Sequence, residues 1–418
     1  MAKEIGAGHF ELKSCQIQNY DRSKTNDISE LITGFTITEG IGQVMISCVI
    51  SVLDTTNLLD DFPIQGEELV TIELEDFFGT EQTYEFQVYK ISPVQQDYAS
   101  KKLMYSLSMY SLDFMRTEAF EVRRSYTGNI ETTVSDIYEE YFTNNKDMDI
   151  EQTDGVQTLV IPALTPFETM LFLARKAYTQ ASPSATFRFF ETRDDFKFVT
   201  YEELLARVDR DNIPEEKTYT YYDPKTIEST PAISMKNLLS YQVTKRFNLL
   251  GEFRSGAMIN RTLLLDLSKK TIEETEYKHY EERDNQKSVD ATQRPLHSSK
   301  FIEDFFTEDN ILQSSIVFKD TTKPESYYED ILPRRISTNY YYNAINVYAQ
   351  AYGSFKFNVG DVIKIDLPRP SAETGDIEEH ETYSGYYIVE TLKHKYEMSG
   401  RWIVDMNLIK DSLKGSGS

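Results

Sequence analysis

PIQGEELVTIEL at residues 63–74 and FNVGDVIKIDLP at residues 357–368 decide how this chain is read. Each turns at a glycine, Gly66 or Gly360, places an acid just after it, and then alternates apolar with polar side chains. That period of two puts one face of a strand in a core and the other toward solvent. Working outward, the first segment is followed by YEFQVYKI (84–91) and KLMYSLSMYSLD (102–113), the second by YYIVETLKH (386–394) and RWIVDMNLIKDSL (401–413). The strands that lead in, VMISCVISVLD (44–54) and NAINVYAQAYG (343–353), are alike as well. Gly66 corresponds to Gly360, Ile72 to Ile365 with a one-residue slip, and Leu103, Tyr105, Leu107 and Met109 to Trp402, Val404, Met406 and Leu408. Matches in this order argue for duplication. The expected fold is mainly β, with two related antiparallel β-barrels separated by an α+β insertion.

The period changes between the copies. Val134, Ile137, Tyr138 and Tyr141 recur at helical spacing. A second helix is predicted to open with Thr165 as N-cap, Pro166 in the first turn and Glu168 closing a capping box, with an apolar stripe from Phe167 to Tyr178. In TFRFFETRDDFKFVT, Phe187 and Phe189 answer Phe196 and Phe198 across a charged turn, and Thr200 with Glu203 caps another short helix. The expected divisions are a first barrel over 1–117, an α+β domain over 118–228, a second barrel over 229–268 with 336–412, and a flexible tail over 413–418. The polar stretch 269–335 reads as an insertion or arm packing on the α+β domain.

Composition narrows the function. The 418 residues include 68 acidic and 44 basic side chains, for a net charge of -24, which argues against gripping nucleic acid by phosphate neutralisation. No run approaches the ~18 apolar residues of a spanning helix, and the first residues lack the apolar core of a signal peptide. Cys15 and Cys48 have no metal or redox spacing and read as reduced thiols. Nucleophile-elbow, phosphate-loop, zincin and dinucleotide motifs are absent. DMDIEQTDG (147–155) has alternate carboxylates but Gln152 where a calcium loop turns on Gly, so it reads as a solvated loop. His9, His279, His297, His380 and His394 never pair at ligand spacing, and the doublets Arg123/Arg124, Lys269/Lys270 and Arg334/Arg335 read as salt-bridging or solubilising. No catalytic, metal or cofactor-binding residue is assigned, and no cofactor is expected.

Taken in order, LLDDFPIQGEELVTIEL (58–74), RRSYTGNIETTVSDIYEEYF (123–142), VIPALTPFETMLFLARKA (160–177), FRFFETRDDFKFVTYEELL (187–205), FNVGDVIKIDLP and SGYYIVETLKHKY (384–396) resemble the central baseplate hub of contractile-tailed bacteriophages, the T-even-type hub family. The chain departs from that pattern at Asp194 and Asp195, where related hubs often turn on Gly, and in a long loop over 369–382. The resemblance implies two tube-like barrels per subunit and a homotrimer whose six modules match the sixfold tail tube on one side and the threefold cell-puncturing spike on the other. It implies spike, tube or tube-initiator, and baseplate wedge proteins as partners, a place in the virion tail baseplate after assembly in host cytoplasm, and a channel through which DNA passes without specific binding. Enzymatic activity is not expected. The hub of a non-viral contractile injection system and a β-rich glycan hydrolase are the alternatives. A channel that transmits DNA should repel it, so much of the acidic excess is expected on the wall, with Glu73 and Asp366, polar positions on corresponding strands, as lumen-facing candidates.

Overall fold

The computed structural model describes residues 6–97, 102–142, 146–181, 185–221, 230–282, 288–290, 292–293, 300–301, 304, 314–319, 328–369 and 378–413. His297, most of the 369–382 loop and the last five residues lie outside them. The first part of the chain forms β1 (Glu11–Gln18), β2 (Thr25–Asp27), β3 (Ile32–Gly40), β4 (Gln43–Asp54), β5 (Leu69–Glu75), β6 (Glu81–Ile91), β7 (Gln95–Asp97) and β8 (Lys102–Ser111). The alternation read from the sequence is the one observed. Val70, Ile72 and Leu74 of β5 are buried beside Tyr84 and Phe86 of β6 and Leu107 and Met109 of β8. Cys15 and Cys48 are free thiols in the same core, where burial pushes the Cys15 thiol up to about 12 and the Cys48 thiol well up.

The middle of the chain supplies β9 (Ser125–Gly128), β10 (Asp147–Ile150), β11 (Gln157–Val160), β12 (Arg188–Glu191) and β13 (Asp195–Val199), with helices Ile130–Tyr141, Pro166–Lys176 and Tyr201–Ala206. Thr165 and Glu168 form the expected capping box, and Thr200 accepts from the Glu203 N–H at the start of the next helix. The Phe hairpin pairs as β12–β13, with Phe189 and Phe196 stacked and Phe187 against Phe198. β10, expected as a loop, pairs in parallel with β13, and Asp149 accepts from Arg207 and Lys197. The core of this α+β unit joins these rings to Val134 and Ile137 of one helix and Met170 and Leu173 of the other.

The remainder forms β14 (Thr218–Thr220), β15 (Leu238–Lys245), β16 (Ile259–Asp266), β17 (Thr271–Lys278), β18 (Thr292–Gln293), β19 (Ser314–Lys319), β20 (Ile345–Tyr352), β21 (Val362–Asp366), β22 (Pro368–Arg369), β23 (Glu378–Glu379), β24 (Gly385–Glu397), β25 (Arg401–Lys410) and β26 (Ser412–Leu413). β16, expected in the second barrel, instead joins β17 and β19 in a separate three-stranded sheet. Its apolar alternation is real, with Leu264 buried, but it faces a different core from that of β20 and β25.

Both β modules share one 14-stranded sheet. In the first module the strands neighbour one another as β3-β4-β8-β6-β5-β1; in the second, as β15-β20-β25-β24-β21-β14. The orders correspond strand for strand, and two of the irregularities coincide. Register shifts between Val88 and Lys90 where β6 meets β8, and between Val389 and Thr391 where β24 meets β25. It shifts again between Ile32 and Gly34 where β3 meets β4, and between Leu238 and Ser240 where β15 meets β20. Bulges are fixed by local geometry, so coincident bulges specify the alignment residue by residue: Val88 matches Val389, and Leu107 matches Met406. The last strand departs, since β1 meets β5 antiparallel and β14 meets β21 parallel. Among the described residues no ladder closes either module on itself; the second is joined to the first where β24 pairs with β3.

Candidate functional surface

Each module presents one polar face of its sheet, and the joint between β24 and β3 makes the two faces continuous. A single cross-strand row runs through Gln350, Asp405, Lys393, Thr38, Ser47 and Tyr110, crossing from the second module into the first. The next row includes Thr36, opposite Lys395 on one side and Val49 on the other. Hydroxyls, amides and lysines dominate around the joint. Among its acids, Asp405 accepts from Lys395 at 2.5 Å, and the ammonium beside it offsets burial to hold that carboxyl below its ordinary range.

Glu73 and Asp366 occupy equivalent sites. Val88 N–H bonds to the Glu68 carbonyl as Val389 N–H bonds to the Asp361 carbonyl, and from there Leu69 matches Val362, Ile72 matches Ile365, and Glu73 matches Asp366. The one-residue slip sits in the turn: both acids still cap it, Glu68 accepting from the Gln65 and Gly66 N–H groups and Asp361 from that of Asn358. Their surroundings differ. Glu73 is exposed on the polar face beside Thr83 and accepts from the Ser14 hydroxyl at 2.9 Å. The Asp366 side chain is 18% exposed and pairs with Lys364 at 3.3 Å. Tyr386, opposite Lys364, donates to the Arg210 carbonyl, so the chain leaving the α+β unit covers that end of the face.

Two groups that sequence reasoning passed over hold the parts together. At the joint, Glu39, His394 and Trp402 are all buried. The Trp402 indole N–H donates to His394 Nδ1 at 3.3 Å, which requires a lone pair there, so the proton lies on Nε2 and is donated to Glu39 at 3.0 Å. The second is Arg193 in the Phe hairpin turn, which reaches out of the α+β unit, donates to the Phe355 carbonyl at 3.0 Å and lies over the Phe355 ring. Neither had a sequence signal, because Glu39 and His394 are 355 residues apart and Arg193 is 162 from Phe355. The basic doublets are structural where described: Arg124 grips Glu140, and Arg335 donates to the carbonyls of Arg175, Ala177 and Ala185, capping the end of helix Pro166–Lys176. His380 donates no ligand set; its ring packs on Tyr383, and burial lowers its basicity. Among the described residues no group of three or more His, Cys, Asp or Glu could hold a metal ion, and no helix is long and apolar enough to cross a membrane.

No family model matches the chain, and no curated protein matches it in sequence. In structure it is similar to a tail protein from Neisseria meningitidis MC58, at 9% identity and a TM-score of 0.55, over 96% of this chain and 97% of that one. It is similar also to the 43 kDa tail protein of prophage MuSo2 from Shewanella oneidensis, at 8% identity and a TM-score of 0.55, over 96% of this chain and 98% of that one. At such identities the likeness is one of fold, and it extends over nearly the whole of each chain: the mainly β architecture with its α+β unit is the architecture of these tail proteins.

Proposed function

We propose that this protein is a structural component of a phage tail baseplate, and within that role a hub of the T-even type. Three copies would present six similar β modules to the sixfold tail tube and a threefold face to the cell-puncturing spike. The observation that carries the reading is the common strand order of the two modules, with two bulges at matching positions, joined edge to edge in one sheet. A symmetry adaptor needs that: two interchangeable units in each of three chains satisfy sixfold and threefold neighbours at once. The likeness in fold to tail proteins supports the same reading.

In this proposal the continuous polar face lines a channel for DNA, with Glu73 and Asp366 as wall residues, and no catalytic chemistry belongs to the chain. Its partners are the spike, the tube or tube-initiator and the wedge proteins, and it resides in the virion tail after assembly in host cytoplasm. The domain division is proposed with it: the first module over 1–117, the α+β unit over 118–228, the second module over 229–268 with 336–412 apart from β16, 269–335 as an arm on the α+β unit, and a tail over 413–418. Deleting the coding sequence from the parent phage tests the role: heads without tubes are expected, and normally tailed, infectious particles would contradict it.

A further inference from the structure

A cavity of about 300 Å³ lies where the first module meets the α+β unit, at the lower end of the volumes that small ligands fill. Ile46 of β4, Tyr84 of β6 and Ser111 at the end of β8 line it from the module, and Lys146, Glu191 and Arg193 line it from the α+β unit. Its wall is fixed by bonds of its own. Lys146 donates to Glu191 at 2.7 Å and to the Thr192 carbonyl at 2.8 Å, and Glu191 accepts from the Ile46 N–H at 3.0 Å, which ties the Phe hairpin to β4. Arg193 is anchored on the Phe355 carbonyl, and Asp194 accepts from the Asn358 amide at 2.6 Å.

Within that frame three polar groups are left over. The Tyr84 hydroxyl, the Ser111 hydroxyl and Nη1 of Arg193 have no hydrogen-bond partner among the described residues, although all three side chains are more than nine-tenths buried. Leaving a buried donor unpaired is costly, so three on the wall of one cavity mark a place shaped for a ligand. Burial pushes the Tyr84 phenol well up, with the Arg193 charge opposing, so that group remains a hydroxyl able to donate.

We propose that this cavity binds a neutral polyhydroxyl ligand of about the size of one sugar ring. The wall selects the class. Two cations, Lys146 and Arg193, stand against three acids, Glu85, Glu191 and Asp194, so an anion would enter an acidic surplus. A guanidinium N–H only donates, so a cation offers it nothing. A lone carbonyl would accept from Arg193 but has no proton to give the oxygens of Tyr84 and Ser111. Adjacent hydroxyls both donate and accept, and a ring that carries several of them can satisfy all three groups at once.

Saturation-transfer NMR on the full chain, with D-glucose as the probe, tests this. Transfer from the protein to the glucose ring protons is expected. Tyr84→Phe and Ser111→Ala should each weaken binding about fivefold, the loss of one hydrogen bond. Neither hydroxyl has a protein partner to lose, so both variants should melt with the parent when glucose is absent. A full chain that gives no transfer, or transfer undiminished in both variants, overturns the site. Inorganic phosphate that binds the cavity in place of glucose overturns the neutral class.

Discussion

Leu107 and Met406 sit at equivalent points of β8 and β25, each fully buried in its module's core. Replacing either by Asp should cost about 4 kcal/mol or more, because a carboxylate would enter a core with no partner, and that is a large part of a typical domain's stability. Urea denaturation checks this, and two variants as stable as the parent would contradict the alignment of the repeat. Lys410 gives a prediction in pH. It is fully enclosed, 3.5 Å from Asp290, bonded to the Ser384 carbonyl and set over the Tyr387 ring. Burial lowers it from 10.5 to about 8, with Asp290 opposing the shift. A lysine held below its unfolded value costs stability below pH 8, and the cost is relieved as pH rises toward 10.5. In that window the unfolded chain holds the proton that the folded chain has released, so stability should climb, by at most about 1.4 kcal/mol per pH unit. Lys410→Met should remove that climb, and an unchanged slope would contradict the assignment. The buried apolar residues were legible in the sequence because alternation exposes them one by one. Lys410, Glu39 and Arg193 were not, because a buried charge is set by partners far along the chain.

Gly66 and Gly360 make the turns into β5 and β21 with φ of 102° and 86°, a region that a side chain reaches only under strain. Gly66→Ala should cost about 1 kcal/mol, the backbone strain alone, since a Cβ there meets nothing closer than 3.8 Å. Gly360→Ala should cost more, because its Cβ would lie 3.1 Å from the buried Phe190 ring. Thermal melts of the pair check the order, and equal or reversed losses would contradict it. Element identity was largely readable. The capping box at Thr165, the Phe hairpin and the strands of both modules stand where period and turn residues placed them. β16 was misplaced for a physical reason: alternation says that one face of a strand is buried but not against which sheet, and β17 and β19 arise in a charged stretch whose own pattern is weak. β10 was missed because its carboxylates suggested solvent, while in the fold Asp149 is paired with Arg207 and Lys197.

At the scale of the whole molecule the duplication was legible, and the continuity of its two halves in one sheet was not, since pairing between β24 and β3 leaves no mark in either segment alone. The placing of acids on a channel wall stands as a proposal; the rows around the joint are rich in hydroxyl, amide and lysine side chains, and Glu73 lies farther out on the same face. If that face lines the channel, exchanging Glu73 and Asp366 for Lys should slow genome release while tails still assemble, because fixed positive charge on the wall attracts passing phosphate. Particles carrying both substitutions and ejecting at the normal rate would contradict the placement of these residues. In the proposed role, two equivalent modules per chain would build a ring of six from three copies. End-on negative-stain images of the purified, assembled protein should show a threefold ring of six similar lobes around an open centre, and isolated monomers or closed twofold dimers would overturn the proposed role.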